Sequence, residues 1–315
     1  MNKEIKHETS TEATESHEVE ATGEVTASED GTSPIHTEAV IEPVLVTLDE
    51  LFEANFHYGY KTSFRNPWMS GYVFTGKTVG DIDIIDLTKT VYEFNKALAA
   101  LERCVSRGGK VLFVGTENHT SRIIEEEAEK CAQYYISKRW LGGLLTNWRN
   151  TCDSIYTLKS LDKQIEDGYL LNFRKSEQMR IIKKHDRFKR FLGGIKDIGH
   201  LPDMMIITSN REKNAIREGC KLGIPIILLA DTNTDPHGIA HKIPGNDRSV
   251  KAIEKFITKC TEACLSGLRR ELTAGMKPTV EHAGSRNQHS HPHDRPHSHQ
   301  RPRKVISHPK RAPSE

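Results

Sequence analysis

The chain has 315 residues, of which 36% are hydrophobic and 28% are charged, and its formal net charge is +2 at pH 7. This balance is typical of a globular protein and excludes a membrane-spanning one, since no run approaches the ~18 apolar residues that cross a bilayer. The small net charge is misleading, because the charges are distributed unevenly along the chain.

The two ends of the chain differ in charge from each other and from the middle. Residues 1–47 carry eleven acidic and two basic side chains and few large apolar ones. Residues 269–315 carry ten basic and four acidic side chains, with seven histidines and several prolines. Neither end has enough apolar surface to offset the entropy lost on folding. We therefore predict a disordered acidic arm (1–47), a folded α/β domain (48–268) and a disordered basic tail (269–315).

A short helix is predicted for residues 48–54, and an aromatic segment follows it. Residues 56–69 interleave aromatic side chains with Lys61 and Arg65, while glycine and proline mark turns. Two interpretations remain open. The segment is either a stacking surface with phosphate-seeking cations or an aromatic cap over the core.

Strands and helices are then predicted to alternate. The predicted elements are strands at 72–74 and 82–86, a helix capped by Thr88 and ended by Gly108-Gly109, a strand at 110–115, a helix at 116–130, a strand at 134–136, and, after residue 192, a strand at 202–208, a helix at 211–222, a strand at 225–230 and a helix at 249–265. Short continuous apolar runs such as 111–114 are typical of strands buried on both faces. We predict a parallel sheet with helices on both faces.

The segment 139–148, RWLGGLLTNW, joins this predicted sheet to a long helical excursion. Gly142 and Gly143 permit backbone angles closed to other residues, and the flanking Trp and Leu side chains bury the turn. We predict that Thr146 caps the next helix, because threonine is a favoured capping residue. A well-packed connection without a functional role is the alternative.

The excursion is predicted to be a helical hairpin over residues 146–192. Its two helices, 146–167 and 175–192, are joined by a turn at Gly168. The stretch 174–190 holds eight basic residues against two acidic ones, a net charge of +6. Phosphates alongside would relieve this repulsion and release counterions. A solvated charged face without a ligand is the alternative.

A doubly wound sheet also raises an enzyme hypothesis, because such folds often bind nucleotides at the carboxyl ends of their strands. Residues 115–119 follow a buried strand but do not form a G-x-G-x-x-G loop. The loop 231–238 carries two carboxylates and a histidine, although these residue types also form tight turns. A nucleotide-dependent α/β enzyme is therefore the alternative function.

Cysteine and histidine are the residues that bear on metal binding. The six cysteines include no Cys-x-x-Cys pair, and most lie in apolar helical patterns. This usage indicates small buried thiols in a reducing compartment rather than a disulfide or zinc framework. Histidines lie close together in the tail, as in 289–293, so metal binding is a third functional hypothesis.

A series of motifs resembles the bacterial-type small-subunit ribosomal protein two family. The resemblance covers about residues 48–260, and its specificity comes from many motifs in one order rather than from any single motif. In chain order they are 56–59 (FHYG), 66–67 (NP), 82–87 (IDIIDL), 111–116 (VLFVGT), 139–147 (RWLGGLLTN), 192–195 (LGGI), 201–203 (LPD), 222–225 (LGIP), 231–233 (DTN) and 243–247 (IPGND).

The resemblance implies a non-enzymatic protein with a Rossmann-like parallel sheet flanked by helices and a projecting coiled-coil hairpin. It implies a structural constituent of the small ribosomal subunit in translation, with small-subunit ribosomal RNA and other small-subunit proteins as partners. We expect no catalytic residue, cofactor, metal, membrane or small-molecule substrate. The candidate RNA-binding residues are Lys61, Arg65, Arg139, Arg149, Arg174, Lys175, Arg180, Lys183, Lys184, Arg187, Lys189 and Arg190.

The chain departs from the family pattern at a few positions. Tyr60 stands where the family usually has histidine, and Arg248 where a second aspartate is usual. Residues 117–119 replace a usually basic stretch, so an RNA contact there is not expected.

The cellular setting is predicted from details of the resemblance. The sequences at 147–148 and 194–197 are closest to forms from α-proteobacteria and mitochondria. We therefore expect a mitochondrial ribosome, with the bacterial cytoplasm as the alternative. The acidic arm is the opposite of an arginine-rich transit peptide, so we expect either synthesis inside the organelle or an unconventional signal.

Overall fold

The computed structural model describes residues 43–169 and 173–275, which contain the following elements. They are α1 (Leu48–Glu53), β1 (Tyr58–Lys61), β2 (Val73–Val79), β3 (Ile82–Ile85), α2 (Leu87–Val105), β4 (Val111–Val114), α3 (Asn118–Lys130), β5 (Tyr134–Ile136), α4 (Trp148–Glu166), α5 (Lys175–Leu192), β6 (Met204–Ile207), α6 (Lys213–Leu222), β7 (Ile226–Ala230), β8 (His241–Pro244) and α7 (Val250–Gly275). Short 3-10 helices cover Thr62–Phe64, Pro67–Tyr72 and Gly193–Ile195.

A parallel sheet in the order β5-β4-β6-β7-β8 forms the centre of the fold. Its central strands β4, β6 and β7 are buried at every position, as their continuous apolar runs predict. β8 was not among the predicted strands. It is short, half polar and ends in proline, so its sequence carries little strand signal.

Helices cover both faces of this sheet, which confirms the predicted layers. Alternate strand residues point to opposite faces, so Phe113 and Ile206 pack against α1, α2, α3 and α7. Leu112 and Ile207 pack on the other face against α4, α5, α6 and the segment 140–145. No helix among the residues that the structure describes is long and apolar enough to cross a membrane.

A second sheet, antiparallel and in the order β1-β3-β2, lies outside the predicted alternation. The turns expected over 56–62 were partly wrong, because Tyr58–Lys61 forms a strand. Gly59 lets this strand approach the parallel sheet, since a Cβ at that position would lie 2.6 Å from Thr232 Cγ2. This close approach depends on a contact distant in sequence, which the local pattern does not reveal.

Two predicted helix caps were wrong by one or two residues. Asp86, not Thr88, caps α2, and its carboxylate accepts the Thr88 N–H at 3.1 Å. Asn147, not Thr146, directly precedes α4, although its side chain makes no capping hydrogen bond. The Thr146 N–H and hydroxyl are both donated to a carboxylate on α6.

The boundaries of the folded part also differ from the prediction. Val46, in the predicted arm, is buried, and its N–H donates to Asn95 Oδ1 at 2.8 Å. Thr47 caps α1 in a capping box with Glu50. At the other end, α7 continues past residue 268 to Gly275. The disorder predicted for 1–42 and 276–315 lies outside the described residues.

The two glycines of the join have different roles. Gly143 has φ +85°, in the left-handed region that disfavours side chains, whereas Gly142 has neither a positive φ nor any neighbour within 4 Å of an added Cβ. The expectation that both glycines are conformationally required therefore holds for Gly143 alone.

We expect Gly143→Val to lower the free energy of unfolding by roughly 1–3 kcal/mol, because valine is strained at positive φ. Gly142→Val is the matched control and should unfold within about 0.5 kcal/mol of the wild type. Urea unfolding followed by circular dichroism measures both. Equal destabilisation of the two variants would contradict this assignment.

Candidate RNA-binding surface

The helical hairpin is held together by an apolar seam between α4 and α5. Ile155 and Leu158 of α4 are buried, and Phe188 and Leu192 of α5 pack in the same cluster. The predicted second helix matches α5 in both of its bounds. The seam leaves the opposite side of α5 in solvent.

The eight basic residues predicted on and just before α5 are all exposed. None of them has an ion-pair partner among the described residues, although Lys184 lies 5.7 Å from the centre of the Phe188 ring. Five of them recur at the spacing of one helical face. We call this face the basic stripe: Arg180, Lys183, Lys184, Arg187 and Arg190.

Acidic side chains of the hairpin are neutralised on its inner side. Asp162 of α4 contacts His185 Nε2 at 2.7 Å and also pairs with Lys196. Burial would raise the pKa of Asp162, but hydrogen bonds from Lys196 and His185 lower it below its usual value. Asp162 therefore stays ionised with its partners, and the basic stripe keeps its charge.

A buried carboxylate, Glu218 of α6, holds the base of the hairpin. It accepts the Trp140 indole N–H at 3.0 Å and the Gly143 N–H at 2.8 Å. Its other oxygen accepts the N–H groups of Leu145 and Thr146 at 3.0 and 3.1 Å, and the Thr146 hydroxyl at 3.3 Å. These donors lie along the join, so one side chain fixes the segment from which α4 starts.

Sequence reasoning did not single out Glu218, although a signal was present. It falls with Ala215 and Gly219 on the buried stripe of α6. A charged residue at such a position requires partners, because an unpaired buried charge is costly.

The charge state of Glu218 follows from its surroundings. Burial alone would raise the pKa of its carboxyl group, but the hydrogen bonds from Trp140 and from three backbone N–H groups lower it below 4.5. A carboxyl group whose pKa is lowered by folding contributes stability above its unfolded pKa, and loses that contribution as pH falls through its folded pKa.

The other predicted cations lie on different elements. Arg139 and Arg149 are exposed beside the join, and Lys61 is exposed at the end of β1. Arg65 differs from them, because its guanidinium forms a bidentate ion pair with the buried Asp83 carboxylate, with Nε 2.8 Å from Oδ2. That hydrogen bond raises the pKa of Arg65, and it holds the side chain against β3.

The loop 231–238 does not bring both of its carboxylates together with its histidine. Asp231 is buried and lies 3.5 Å from Arg248 Nε, whereas Asp235 is exposed and pairs with His237 at 2.6 Å. Burial and the Asp247 carboxylate raise the pKa of Asp231. The two carboxylates of the loop therefore lie in different environments.

The phosphate-loop pattern G-x-x-x-x-G-K-[ST] has one match in the sequence, at 71–78, GYVFTGKT. The pattern requires a loop that opens a helix. Here β2 covers Val73–Val79 and leads to β3, so the backbone is extended and forms no phosphate cradle.

Metal sites are also absent from the described part of the chain, where no group of three or more His, Cys, Asp or Glu side chains could hold an ion. The histidine-rich tail, 276–315, lies outside it.

Comparison with known proteins gives one consistent family. Residues 51–267 match the family model described as "Ribosomal protein S2". The "Small ribosomal subunit protein uS2" of Paramagnetospirillum magneticum is 41% identical over 230 residues, covering 73% of this chain and 86% of the relative. The proteins of the same name from Baumannia cicadellinicola and Rhizobium leguminosarum are 42% and 41% identical, covering 71% of this chain and 96% and 88% of the relatives.

We expect Glu218→Gln to destabilise the protein at pH 7 by roughly 1–3 kcal/mol, because the glutamine amide cannot accept from all the donors that converge there. The difference from wild type should start to narrow as pH falls below the ordinary glutamate value of about 4.3, where the unfolded wild-type carboxylate takes up a proton. It should disappear only below the lowered pKa of the folded carboxyl group. Urea unfolding at several pH values between 7 and 3.5 measures this. A difference independent of pH would show that the charge of Glu218 is not what holds the join.

Proposed function

Since the chain belongs to the ribosomal protein S2 family, we propose that it is a structural constituent of the small ribosomal subunit, bound to ribosomal RNA and neighbouring small-subunit proteins. The family is one of structural proteins, so the chain is not an enzyme and the nucleotide-dependent alternative is set aside. Small-subunit proteins are partners in this proposal because the relatives are named for that subunit.

The observation that carries the RNA proposal is the exposed basic stripe of α5. Its five cations have no ion-pair partner among the described residues, so phosphates can approach them without breaking an ion pair. Each phosphate that a cation neutralises releases a counterion, which drives binding to RNA. The Glu218 anchor fixes the direction of the hairpin, which lowers the entropy cost of binding.

The proposal assigns different weights to the candidate residues. Arg139 and Arg149 lie beside the join, so they extend the basic surface at the start of α4. Arg65 is withdrawn from direct phosphate contact because Asp83 holds its guanidinium. Its role in the proposal is to position the segment after β1.

The proposed setting is a mitochondrial ribosome, and the bacterial cytoplasm is the second candidate. The first rests on the sequence details at 147–148 and 194–197. The second is favoured by the relatives, which come from bacteria. If the source cell has mitochondria, purified organelles should contain the protein in the small-subunit peak of a sucrose gradient. Its recovery in the cytosolic fraction alone would rule out the mitochondrial setting.

Reversing the charge of Lys183, Lys184 and Arg187 to glutamate should weaken binding to small-subunit ribosomal RNA. The slope of log affinity against log salt should flatten by roughly 0.7–0.9 for each lost phosphate contact. Filter binding at several salt concentrations measures the slope.

A matched control reverses three exposed cations on other helices, Arg217, Lys221 and Lys251, which likewise have no ion-pair partner among the described residues. This control makes the same change in net charge, so it should lower the overall affinity but leave the slope closer to wild type. Equal slopes for both triple variants would mean that the stripe makes no specific phosphate contacts.

A further inference from the structure

Exposed aromatic rings lie beside the carboxyl ends of the parallel strands. Phe64 and Trp68 are 62% and 65% exposed, although aromatic side chains of this size are ordinarily mostly buried. Both belong to the segment for which a stacking surface and a core cap were alternative interpretations. Phe56 and Met69 of this segment are fully buried, so part of it caps the core, whereas the two rings face solvent.

The backbone that carries these rings is firmly held. The Asn66 N–H donates to Thr232 O at 2.8 Å, and Asn66 Oδ1 accepts the Trp68 N–H at 3.0 Å. The Trp68 ring meets His237 edge to face at 4.8 Å, and Phe64 meets Tyr60 in the same manner at 5.6 Å. The rings are therefore presented in set positions, which lowers the entropy cost of stacking on a ligand.

A polar pocket adjoins the rings. Its cavity of about 180 Å³ is lined by Tyr60, Asn210, Arg211, Lys213, Asn233 and Asp247. Asn233 Oδ1 is buried and accepts no hydrogen bond within the described residues, whereas Asp247 Oδ2 already accepts the Ser209 hydroxyl at 2.8 Å. The unpaired amide oxygen suits a ligand that carries an amino group, while Lys213 in the same lining suits a phosphate.

Cations line this pocket and follow it along β1: Arg211 and Lys213 are in the lining, and Lys61 comes directly after Tyr60. Lys61 and Lys213 are exposed and have no ion-pair partner in the described part of the chain. Arg211 is already paired with Glu117. Two free cations beside aromatic rings are the combination that tracks a single nucleic-acid strand, with phosphates on the lysines and bases on the rings.

We propose that this carboxyl-edge surface, made of Tyr60, Lys61, Phe64, Trp68, Lys213 and Asn233, binds unpaired RNA nucleotides. An exposed base stacks on Phe64 or Trp68, and a base with an exocyclic amino group donates to Asn233 in the pocket. Adenine and cytosine carry such a group and uracil does not. The inference rests on the proposed function and adds to it a second RNA contact, which reads bases rather than phosphates.

Tryptophan fluorescence of the full-length protein tests the stacking, with oligoadenylate, oligouridylate and inorganic polyphosphate as probes. Oligoadenylate should quench the emission of Trp68, and polyphosphate should not, because it has no bases. The remaining tryptophans, Trp140 and Trp148, are buried and half-buried, and Trp68→Ala should abolish the quenching.

Affinity measurements on variants test the individual residues. Phe64→Ala and Trp68→Ala should each weaken oligoadenylate binding on the order of tenfold, as expected for one stacked base. Asn233→Ala should remove the preference for oligoadenylate over oligouridylate while Trp68 is still quenched. Tyr92→Ala, an equally exposed aromatic residue on α2, is the control and should bind as wild type does. Unchanged melting temperatures would show that the variants are folded.

The outcome that overturns the inference is distinct from failure of the proposed function. If no RNA quenches Trp68 and Phe64→Ala and Trp68→Ala bind RNA as wild type does, the surface is not an RNA site. In that case a reduced salt slope after reversal of Lys183, Lys184 and Arg187 would still support the hairpin contact. The same result is expected if a protein covers the rings.

Discussion

A single carboxylate, that of Glu218, sets the geometry on which the hairpin depends. The join must leave the sheet, turn through Gly143 in a left-handed conformation and start α4 in a defined direction. Such a turn exposes several backbone N–H groups that no regular element satisfies. Glu218 accepts three of them together with the Trp140 indole N–H, so these donors are paired where the chain turns. Because α6 is packed on the sheet, the hairpin base takes its position from the core.

The same distribution of charge recurs elsewhere in the fold, with acids inside and bases outside. Glu212 is buried and accepts both the N–H and the hydroxyl of Thr116, at 2.8 and 2.6 Å. Asp83 and Asp162 hold cations that would otherwise lie in solvent. Because Asp83 and Asp162 each pair with a cation, these contacts leave the net charge of the body unchanged. The exposed cations of the basic stripe, which have no ion-pair partner among the described residues, are the charge that remains available to RNA.

The local pattern of the sequence was sufficient for elements with strong periodicity and insufficient where a distant contact decides the structure. The helix α5 and the buried strands β4, β6 and β7 were predicted because their apolar spacing is regular. β1 was missed, since its YGYK sequence resembles a turn and its pairing with β3 requires residues more than twenty positions away. Asn147 rather than Thr146 occupies the cap position of α4, and Thr146 donates its N–H and hydroxyl to Glu218, which lies 72 residues away.

The candidate site divides in the same way. Exposure of the basic stripe followed from helical spacing alone, because the apolar seam on one side of α5 leaves the cations on the other. The ion pair of Arg65 could not be predicted from the local sequence, since its partner Asp83 lies 18 residues away on β3. Asn233 lies next to a predicted strand, but only the three-dimensional structure brings it into a pocket with Tyr60 and Lys213. A short-range pattern can therefore assign a surface charge, whereas a binding pocket depends on how the two sheets meet.

The hairpin and the carboxyl-edge surface are both fixed to the same rigid layer. Glu218 on α6 anchors the hairpin, and the chain then turns at Gly223, whose φ is +69°, into β7. β7 ends at the loop whose Thr232 binds Tyr60 and Asn66, which carry the aromatic segment. Only one helix and one strand separate the two anchors along the chain. In the proposed function, an RNA bound at one surface would reach the other at a fixed spacing, and the second contact would form at a high effective concentration only where the RNA matches that spacing. Selection for RNA shape would then arise from the fixed distance between the two surfaces.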